Sequence, residues 1–321
     1  MKRLALAILF AMFTLAGGAL AQSFPERPIT LVNPYAAGGP ADLLARTVAD
    51  GISEVLGRPV VVDNRPGAGT AIGARAVAQA KPDGYTLFIG GSPSHVITPA
   101  LMKDAGYDGI AAFTPIATVA DVPNVLSVPP SRPYKSVREL VAAARSAPGT
   151  LTFATVGVGS IPQFLGILLQ LRADLKLIEV PYKGGAPAAT DLMGGQVDLA
   201  FLNVPAVLSQ VQGGQLRALA VASATRAKAL PDTPTMAEAG YPELTSGSWQ
   251  GIFVPAGTPR EVVDKLYAAI IETMKTPEVV QRLANGGVDV VVSKPGEFTR
   301  FVQSETERWG KAVKEAGATA D

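Results

Sequence analysis

Short apolar segments alternate with helical patterns along almost the whole chain, and this alternation constrains the fold more than any other feature. The predicted strands are residues 29–32, 60–62, 86–89, 116–119, 125–128, 151–154, 177–180, 197–202, 216–222, 251–254 and 288–292. The predicted helices are residues 42–56, 72–80, 137–146, 162–171, 186–193, 260–275, 278–284 and 295–316. Such alternation predicts α/β architecture, with mostly parallel sheets and helices on both faces.

The length of the chain predicts more than one core. About 300 residues is too many for a single small core, so we expect two lobes. Two apolar stretches, residues 122–126 and 249–254, are predicted to carry the chain out to the second lobe and back. We therefore assign residues 22–123 and 250–321 to lobe 1 and residues 124–249 to lobe 2.

The first 21 residues are typical of a secretory signal peptide rather than of the fold. Lys2-Arg3 precedes an apolar core, and Ala19-Leu20-Ala21 is a small-x-small cleavage site. We expect cleavage after Ala21 and a soluble, exported product. No Cys follows the apolar core and no later run is long enough to span a bilayer, so we expect no membrane anchor.

Charge and composition exclude several classes of function. The chain has 28 Lys and Arg against 27 Asp and Glu, a formal net charge of +1, which becomes −1 without Lys2 and Arg3. A near-neutral chain lacks the basic surface that nucleic acid requires. With no Cys and one His, it cannot form disulfides, thiolate sites or multi-histidine metal sites. We expect no metal and no cofactor.

The turn Asn-Pro-Tyr-Ala-Ala-Gly-Gly-Pro-Ala-Asp, residues 33–42, joins a predicted strand to a predicted helix. Small residues let a ligand reach the backbone, and N–H groups at the positive end of a helix favour an anion. Candidate ligand-binding residues here are Tyr35, Ala37, Gly38, Gly39 and Asp42. The alternative is an ordinary loop in which Asp42 caps the helix.

Further turns rich in Gly, Ser and Thr follow other predicted strands, and turns at the carboxyl ends of strands converge on a crevice. Together they favour a ligand cleft, although each alone is compatible with a plain loop. The additional candidate residues are Ser92, Ser94, Thr155, Gly157, Gly159, Ser160 and Asn203. Lys183 is either a cation for an acidic ligand or a solvated residue at a strand end.

Two motifs are rejected as signs of chemistry. The glycines of residues 67–73 do not directly follow a strand, and no acidic residue ends the next strand, so they are not a dinucleotide fingerprint. A catalytic triad would need His95 with Ser92 or Ser94, and neither Ser sits in a G-x-S-x-G elbow. A secreted hydrolase using His95 therefore stays a weaker alternative to a binding protein.

Seven segments, in this order, carry a family resemblance. They are PYAAGGPAD (34–42), DNRPGAG (63–69), KPDGYTL (81–87), VPYKG (180–184), GGQVD (194–198), LRALAV (216–221) and VPAGTP (254–259). Together they resemble the Bug-type extracytoplasmic receptors of tripartite tricarboxylate transporters. The matches extend through nearly all of the chain that follows the predicted leader.

The resemblance implies a type II periplasmic binding protein, a Venus-flytrap fold whose lobes close about a hinge on a small carboxylate. In such receptors the turn that matches residues 35–42 grips a carboxylate through the backbone. The turns that match residues 92–94 and 155–160 add hydroxyls and amides. The resemblance also implies a monomer that delivers its ligand to a membrane permease. A sensor subunit that binds the same ligand for a signalling system is an alternative that sequence does not separate.

The chain departs from the family in its second half. Gln163 and Ile167 stand where the family often has His and Glu, and Leu202 replaces a common acidic residue. These departures predict a less polar far side of the pocket, and hence a ligand whose far end is apolar or aromatic.

Overall fold

The strands of the protein form two sheets, seen in a computed structural model that describes residues 24–102, 104–157, 160–286 and 288–316. The strands are β1 (Ile29–Asn33), β2 (Val60–Asn64), β3 (Thr86–Gly91), β4 (Phe113–Val122), β5 (Asn124–Val128), β6 (Thr152–Thr155), β7 (Ile178–Pro181), β8 (Leu199–Asn203), β9 (Arg217–Val221), β10 (Ser248–Pro255) and β11 (Asp289–Val290). The six-stranded sheet has the order β11-β4-β10-β3-β1-β2, and the five-stranded sheet has the order β7-β6-β8-β5-β9.

Helices connect most of these strands. They are α1 (Pro40–Leu56), α2 (Ala71–Ala78), α3 (Thr98–Leu101), α4 (Val137–Ser146), α5 (Ile161–Ala173), α6 (Gly185–Met193), α7 (Val204–Gln212), α8 (Arg260–Lys275), α9 (Pro277–Asn285) and α10 (Pro295–Ala316). In the part of the chain that the structure describes, no helix combines the length and apolar character needed to cross a membrane.

Each sheet is mixed, although most of its strands point in one direction. β1 pairs in parallel with β2 and β3, and β6 with β7 and β8. The reversed strands are β5, β10 and β11. Two of these, β5 and β10, directly follow the places where the chain passes between the sheets. The α/β class predicted from the alternation is confirmed, and both sheets are mixed, with four parallel and five antiparallel strand pairs in the described chain.

Helices cover both faces of the first sheet, so central strands such as β3 are buried on both sides. In β3, Leu87 and Ile89 pack in one cluster with residues of α1 and α8, whereas Phe88 packs in another with residues of α2 and α10. Alternate side chains of a strand point to opposite faces, which explains this division. The continuous apolar runs in the sequence reflect this two-sided burial.

The second sheet follows the same rule with different helices. Leu126 of β5 packs with residues of α4 and α5, and Val125 packs with residues of α6 and α7. Helix α7 was not predicted, although Val204, Val207, Leu208 and Val211 have helical spacing.

Helix α10 connects the cores of the two sheets. Trp309, on α10, meets Phe164 of α5 edge to face with the ring centroids 5.9 Å apart. Glu305 accepts hydrogen bonds from the indoles of Trp309 at 3.1 Å and of Trp249, in β10, at 3.2 Å. One hydrophobic cluster therefore runs from the first sheet through α10 into the second. The boundaries proposed for the lobes stay a prediction.

We expect Trp309→Ala to lower the free energy of unfolding by about 3–5 kcal/mol, because it leaves a large cavity in the shared core. The side chain is 1% exposed. Urea denaturation followed by circular dichroism measures the change. Ser304→Ala, at an exposed position of the same helix, is the control and should stay within about 0.5 kcal/mol of wild type. A loss below about 1 kcal/mol for Trp309→Ala would contradict this description of the core.

Candidate functional site

The turns singled out by sequence lie at the edges of the two sheets that face each other. The chain passes from β4 to β5 through Pro123, so the carboxyl end of β4 and the start of β5 mark these edges. β1 and β3 run in the same direction as β4, so their carboxyl ends share its edge. β8 is antiparallel to β5 and parallel to β6, which brings the carboxyl ends of β6 and β8 to the facing edge.

The turn between β1 and α1 is built around the carboxylate of Asp42. This side chain accepts hydrogen bonds from the Gly38 N–H at 3.0 Å, Arg46 Nε at 2.9 Å and Asn64 Nδ2 at 3.0 Å. Asn64 Nδ2 also donates to the carbonyl of Tyr35 at 3.0 Å. The Arg46 bond first, and then the Gly38 N–H, lower the pKa of Asp42 to about 2. Asp42 is thus an internal anion that shapes the turn.

Other backbone amides of this turn remain open. Within the described chain, the N–H groups of Ala36, Ala37 and Gly39 have no protein acceptor, and residues 36–38 are exposed. Gly38 has φ +86°, a left-handed conformation that suits glycine, whereas Gly39 is extended at φ −88°. Both Gly39 and the start of α1 lie at the positive end of a 17-residue helix. The turn therefore presents free donors but no free anion.

Helix α2 packs closely against the start of this turn. At Gly73 of α2, a Cβ would lie 3.0 Å from Pro34 Cβ. Three buried polar atoms in this region have no described hydrogen-bond partner, namely Asn33 Nδ2, Thr70 Oγ1 and Ser92 Oγ. Buried polar groups without a protein partner are uncommon, and ligands or ordered waters often satisfy them. The floor of the turn is therefore polar as well.

The turn after β3 is held by Ser94. Its hydroxyl accepts from the Gly91 N–H at 3.0 Å and donates to the Gly91 carbonyl at 3.1 Å. Both Ser92 and Ser94 are fully buried. The Tyr107 hydroxyl donates to the Ser94 carbonyl at 2.6 Å; burial raises its pKa, and the Tyr35 hydroxyl adds a smaller upward contribution.

His95 is a core residue. Its Nδ1 lies 2.7 Å from the Gly109 carbonyl, which makes Nδ1 the protonated nitrogen, and its ring stacks on Phe253 with the centroids 3.8 Å apart. Burial lowers the pKa of His95 to about 4, despite the opposing hydrogen bond to Gly109. Among the described residues, no hydrogen bond joins His95 to the hydroxyl of Ser92 or Ser94. In the described chain, the imidazole therefore forms no hydrogen bond to either candidate nucleophile.

On the second sheet, the turn after β6 leads into α5. Ser160 caps this helix by accepting from the Gln163 N–H at 3.4 Å. Gly157 has φ +120° and no atom within 4 Å of where a Cβ would lie. The predicted site residue Gly159 falls outside the described residues. The space beside Gly157 is therefore open.

A carboxylate lies beside this turn where the sequence predicted an apolar surface. Glu179 Oε1, on β7, accepts from Thr155 Oγ1 at 3.0 Å and from Gln163 Nε2 at 2.8 Å. Ile167 and Leu202 are apolar at two positions where the family often has an acidic residue. Here the acidic side chain comes instead from Glu179 of the neighbouring strand β7. The prediction of an apolar far side used only positions 163, 167 and 202, and Glu179 of β7 is not among them.

Asn203, a predicted ligand contact at the end of β8, forms hydrogen bonds to residues at the two crossings. Its Nδ2 donates to Asn124 Oδ1 at 3.1 Å and to Ser248 Oγ at 3.2 Å. Asn124 Nδ2 also donates to Ser248 Oγ at 3.2 Å, and the Val204 N–H donates to the Pro123 carbonyl at 2.8 Å. This cluster ties both crossings to the end of β8, at the position that a hinge would occupy.

Asp121 is an unusual acid beside the same crossing. Its Oδ1 is buried without a hydrogen-bond partner among the described residues, and a Cβ at Gly247 would lie 1.7 Å from that oxygen. Burial, with smaller contributions from Asp289 and Glu305, raises the pKa of Asp121 to about 6, and a hydrogen bond from the Val122 N–H opposes the shift. The carboxyl group is therefore held where its charged form is unfavourable.

Another crevice opens between the sheets near β11. Its volume is about 440 Å³, and it is lined by Pro123, Val204, Ala227, Lys228, Ala229, Val280, Ala284, Val288, Asp289 and Val290. The lining is apolar apart from Lys228 and Asp289, whose charged atoms are 3.9 Å apart. Since these charges offset each other, the crevice offers less to an anion than the β1–α1 turn does.

Several residues of this site were missed from sequence. Asn64 and Glu179 come from strands other than those that end at the predicted turns, and only pairing brings them close. Asn124 did carry a signal, because it lies in the predicted crossing of residues 122–126, and Ser248 directly precedes the other predicted crossing, residues 249–254. No group of three or more His, Asp or Glu among the described residues is arranged to hold a metal ion.

The sequence as a whole matches a known receptor family. A sequence model described as "Tripartite tricarboxylate transporter family receptor" matches residues 44–318. The protein BugT of Bordetella pertussis is 37% identical over 312 residues, which cover 97% of this chain and 96% of BugT.

Two solved structures give the same result. The periplasmic binding protein BugD is 35% identical, with a TM-score of 0.78 over 93% of this chain and all of that one. A structure of R. palustris Rpa4515 with adipate is 36% identical, with a TM-score of 0.81 over 92% of this chain and 99% of that one. Both share the architecture described above at nearly full length.

We expect Asp42→Asn to lower the free energy of unfolding by about 2 kcal/mol at pH 7. The folded-state pKa lies below the unfolded value, so this stability is present above about pH 4 and is lost as pH falls toward about 2. Urea denaturation at pH 7 and pH 2.5 measures the difference. Asp50→Asn, exposed on the same helix, is the matched control. A variant that is equally destabilised at both pH values would contradict the charge argument.

Asp121→Asn should have the opposite effect. The folded-state pKa is raised, so the contribution of Asp121 to stability is greatest below about pH 4 and is lost as pH rises through about 6. We expect the variant to exceed wild type by up to about 3 kcal/mol at pH 7 and to match it near pH 4. Thermal unfolding across this pH range provides the measurement. A variant less stable than wild type at pH 7 would show that the ionised carboxylate has stabilising partners beyond the Val122 N–H.

Proposed function

Because the chain belongs to the receptor family of tripartite tricarboxylate transporters, we propose that it binds a small organic carboxylate between its two sheets. The family consists of periplasmic solute-binding receptors rather than enzymes. The relative solved with adipate makes a carboxylate the natural ligand class for this chain. The observation that carries the proposal is the β1–α1 turn, which presents open amides and keeps its only carboxylate internally bonded.

In this proposal the ligand carboxylate accepts hydrogen bonds from the amides of Ala37 and Gly39, with Tyr35 and Gly38 shaping the turn. N–H donors to a carboxylate form charge-assisted bonds, which are stronger than neutral ones. On lobe 2, the backbone and hydroxyls of the turn after β6 close over the ligand. The proposed contacts there are Thr155, Gly157, Gly159 and Ser160.

Three of the candidate residues act indirectly in this scheme. Asp42 holds the Gly38 N–H, Ser94 holds the turn after β3, and Asn203 holds the crossing. Ser92 is buried, and its hydroxyl has no partner among the described residues, so it reaches the ligand through a bridging water or after closure. The side chains of Asp42, Ser94 and Asn203 position the turns and the crossing, so substituting them would alter binding indirectly.

We further propose that the leader is cleaved after Ala21, that the receptor is monomeric and that it delivers its ligand to the membrane permease of the transporter. A sensor subunit using the same cleft remains a second candidate, because capture of the ligand is common to both roles. A pull-down with solubilised membranes shows whether the membrane partner is a permease or a protein of a signalling system. A hydrolase is disfavoured by His95, whose ring is buried against Phe253.

A panel of mono-, di- and tricarboxylates tests the proposal by thermal shift. A ligand at 100 times its Kd should add about 2.7 kcal/mol to the free energy of unfolding. Gly39→Val should abolish this shift, because Val tolerates the extended backbone of Gly39 yet covers the adjacent amides. Native mass spectrometry of the purified protein first identifies any ligand retained from the host.

The matched control is Gly310→Val on α10, where no atom lies within 4 Å of the position that a Cβ would occupy. This variant should keep wild-type affinity. Binding that survives in folded Gly39→Val would rule out the turn as the anion site. A wild-type protein that no carboxylate stabilises would refute the proposed ligand class.

A further inference from the structure

Glu179 lies beside the turn after β6, on the second sheet. It is exposed on β7, the edge strand of the second sheet, yet its carboxylate is directed toward the turn after β6. Its Oε1 accepts from the hydroxyl of Thr155 at 3.0 Å and from the amide of Gln163 at 2.8 Å. Thr155 precedes the turn that we propose to close over the ligand, and Gln163 lies in the first turn of the helix that follows it.

Strand register explains how this acid reaches the turn. Glu179 pairs with Phe153 in the parallel β6–β7 ladder, and Thr155 follows Phe153 by two residues on the same face. Phe153 packs against Gly166 of α5, so Glu179 also faces α5. Gln163 is the third residue of that helix. An internal carboxylate thus lies beside the first turn of α5, where a carboxylate of the ligand would otherwise be favoured.

The position of this charge has a consequence for selection. A second carboxylate on a ligand would approach an existing one and would compete for the donors of Thr155 and Gln163. Like charges in a partly desolvated cleft repel strongly, and repulsion is an effective means of rejecting a competitor. The basic residues nearest in sequence are Lys176 and Lys183, which are both exposed, and neither has an acidic group within 4.0 Å in the described chain. Among the described residues, therefore, no ion pair neutralises Glu179.

We propose that Glu179 is a specificity-determining residue, which rejects dicarboxylates and selects organic acids whose far end is a hydrogen-bond donor such as a hydroxyl or ammonium group. This inference rests on the proposed function, because it assumes that one carboxylate is held by the β1–α1 turn. The donor at the far end bonds to the carboxylate of Glu179. This preference sets the chain apart from the adipate-bound relative.

The experiment compares ligands that differ only at the far end. Succinate, glutarate and adipate are each paired with the ω-hydroxy and ω-amino acid of the same length, and Kd is measured by calorimetry for wild type and Glu179→Gln. We expect wild type to bind the best donor-ended acid at least tenfold more tightly than its dicarboxylate partner. Glu179→Gln should tighten dicarboxylate binding at least tenfold and weaken binding of the ω-amino acid.

Glu243→Gln, at an exposed position in the same half of the chain, is the control for a general change in charge and should leave every Kd within about twofold. Circular dichroism confirms that the variants fold. If wild type binds dicarboxylates more tightly than donor-ended acids, or if Glu179→Gln keeps the wild-type preference between them, the role of Glu179 is refuted. The proposed function is unaffected by either result. If no acid in any pair binds wild type, the carboxylate site of the proposed function fails with it.

Discussion

The site depends on one arrangement of hydrogen bonds, in which the carboxylate of Asp42 is satisfied from within the protein. Gly38, Arg46 and Asn64 supply its donors, and Asn64 also holds the carbonyl of Tyr35. Because the internal acid takes the Gly38 amide, the adjacent amides are held in place and point away from it. A turn without Lys or Arg can therefore offer N–H donors to an anion, because the buried carboxylate of Asp42 keeps the turn ordered.

Two buried acids show how position alone decides the behaviour of a carboxyl group. Asp42 has three donors and a lowered pKa, whereas Asp121 has an oxygen without a partner in the described chain and a raised pKa. The first belongs to the proposed binding turn and the second to the crossing between the sheets. Their contributions to stability change in opposite directions with pH. The region around the crossing is therefore strained electrostatically at neutral pH, while the turn is most stable there.

Sequence predicted the elements well and the polar contacts poorly. Long segments such as Arg260–Lys275 were predicted to the residue because apolar periodicity and a preceding Pro define them locally. The family was also recognisable, since its motifs are contiguous. Glu179 was missed because only the β6–β7 register brings it to the turn. Asn203 was predicted as a ligand contact at a strand end, and its hydrogen bond to Asn124 depends on strand pairing that is not local. Turns can be predicted from the chain, but the side chains that reach them from other strands cannot.

The path of α10 across both sheets has a consequence for how this protein loses its structure. The segment between the crossings forms its own sheet, yet the rings of Trp309 and Phe164 and the two indoles on Glu305 connect it to the first. Separating either sheet from the other would expose these aromatic side chains to water. Denaturation should therefore proceed as a single cooperative transition rather than one sheet after the other.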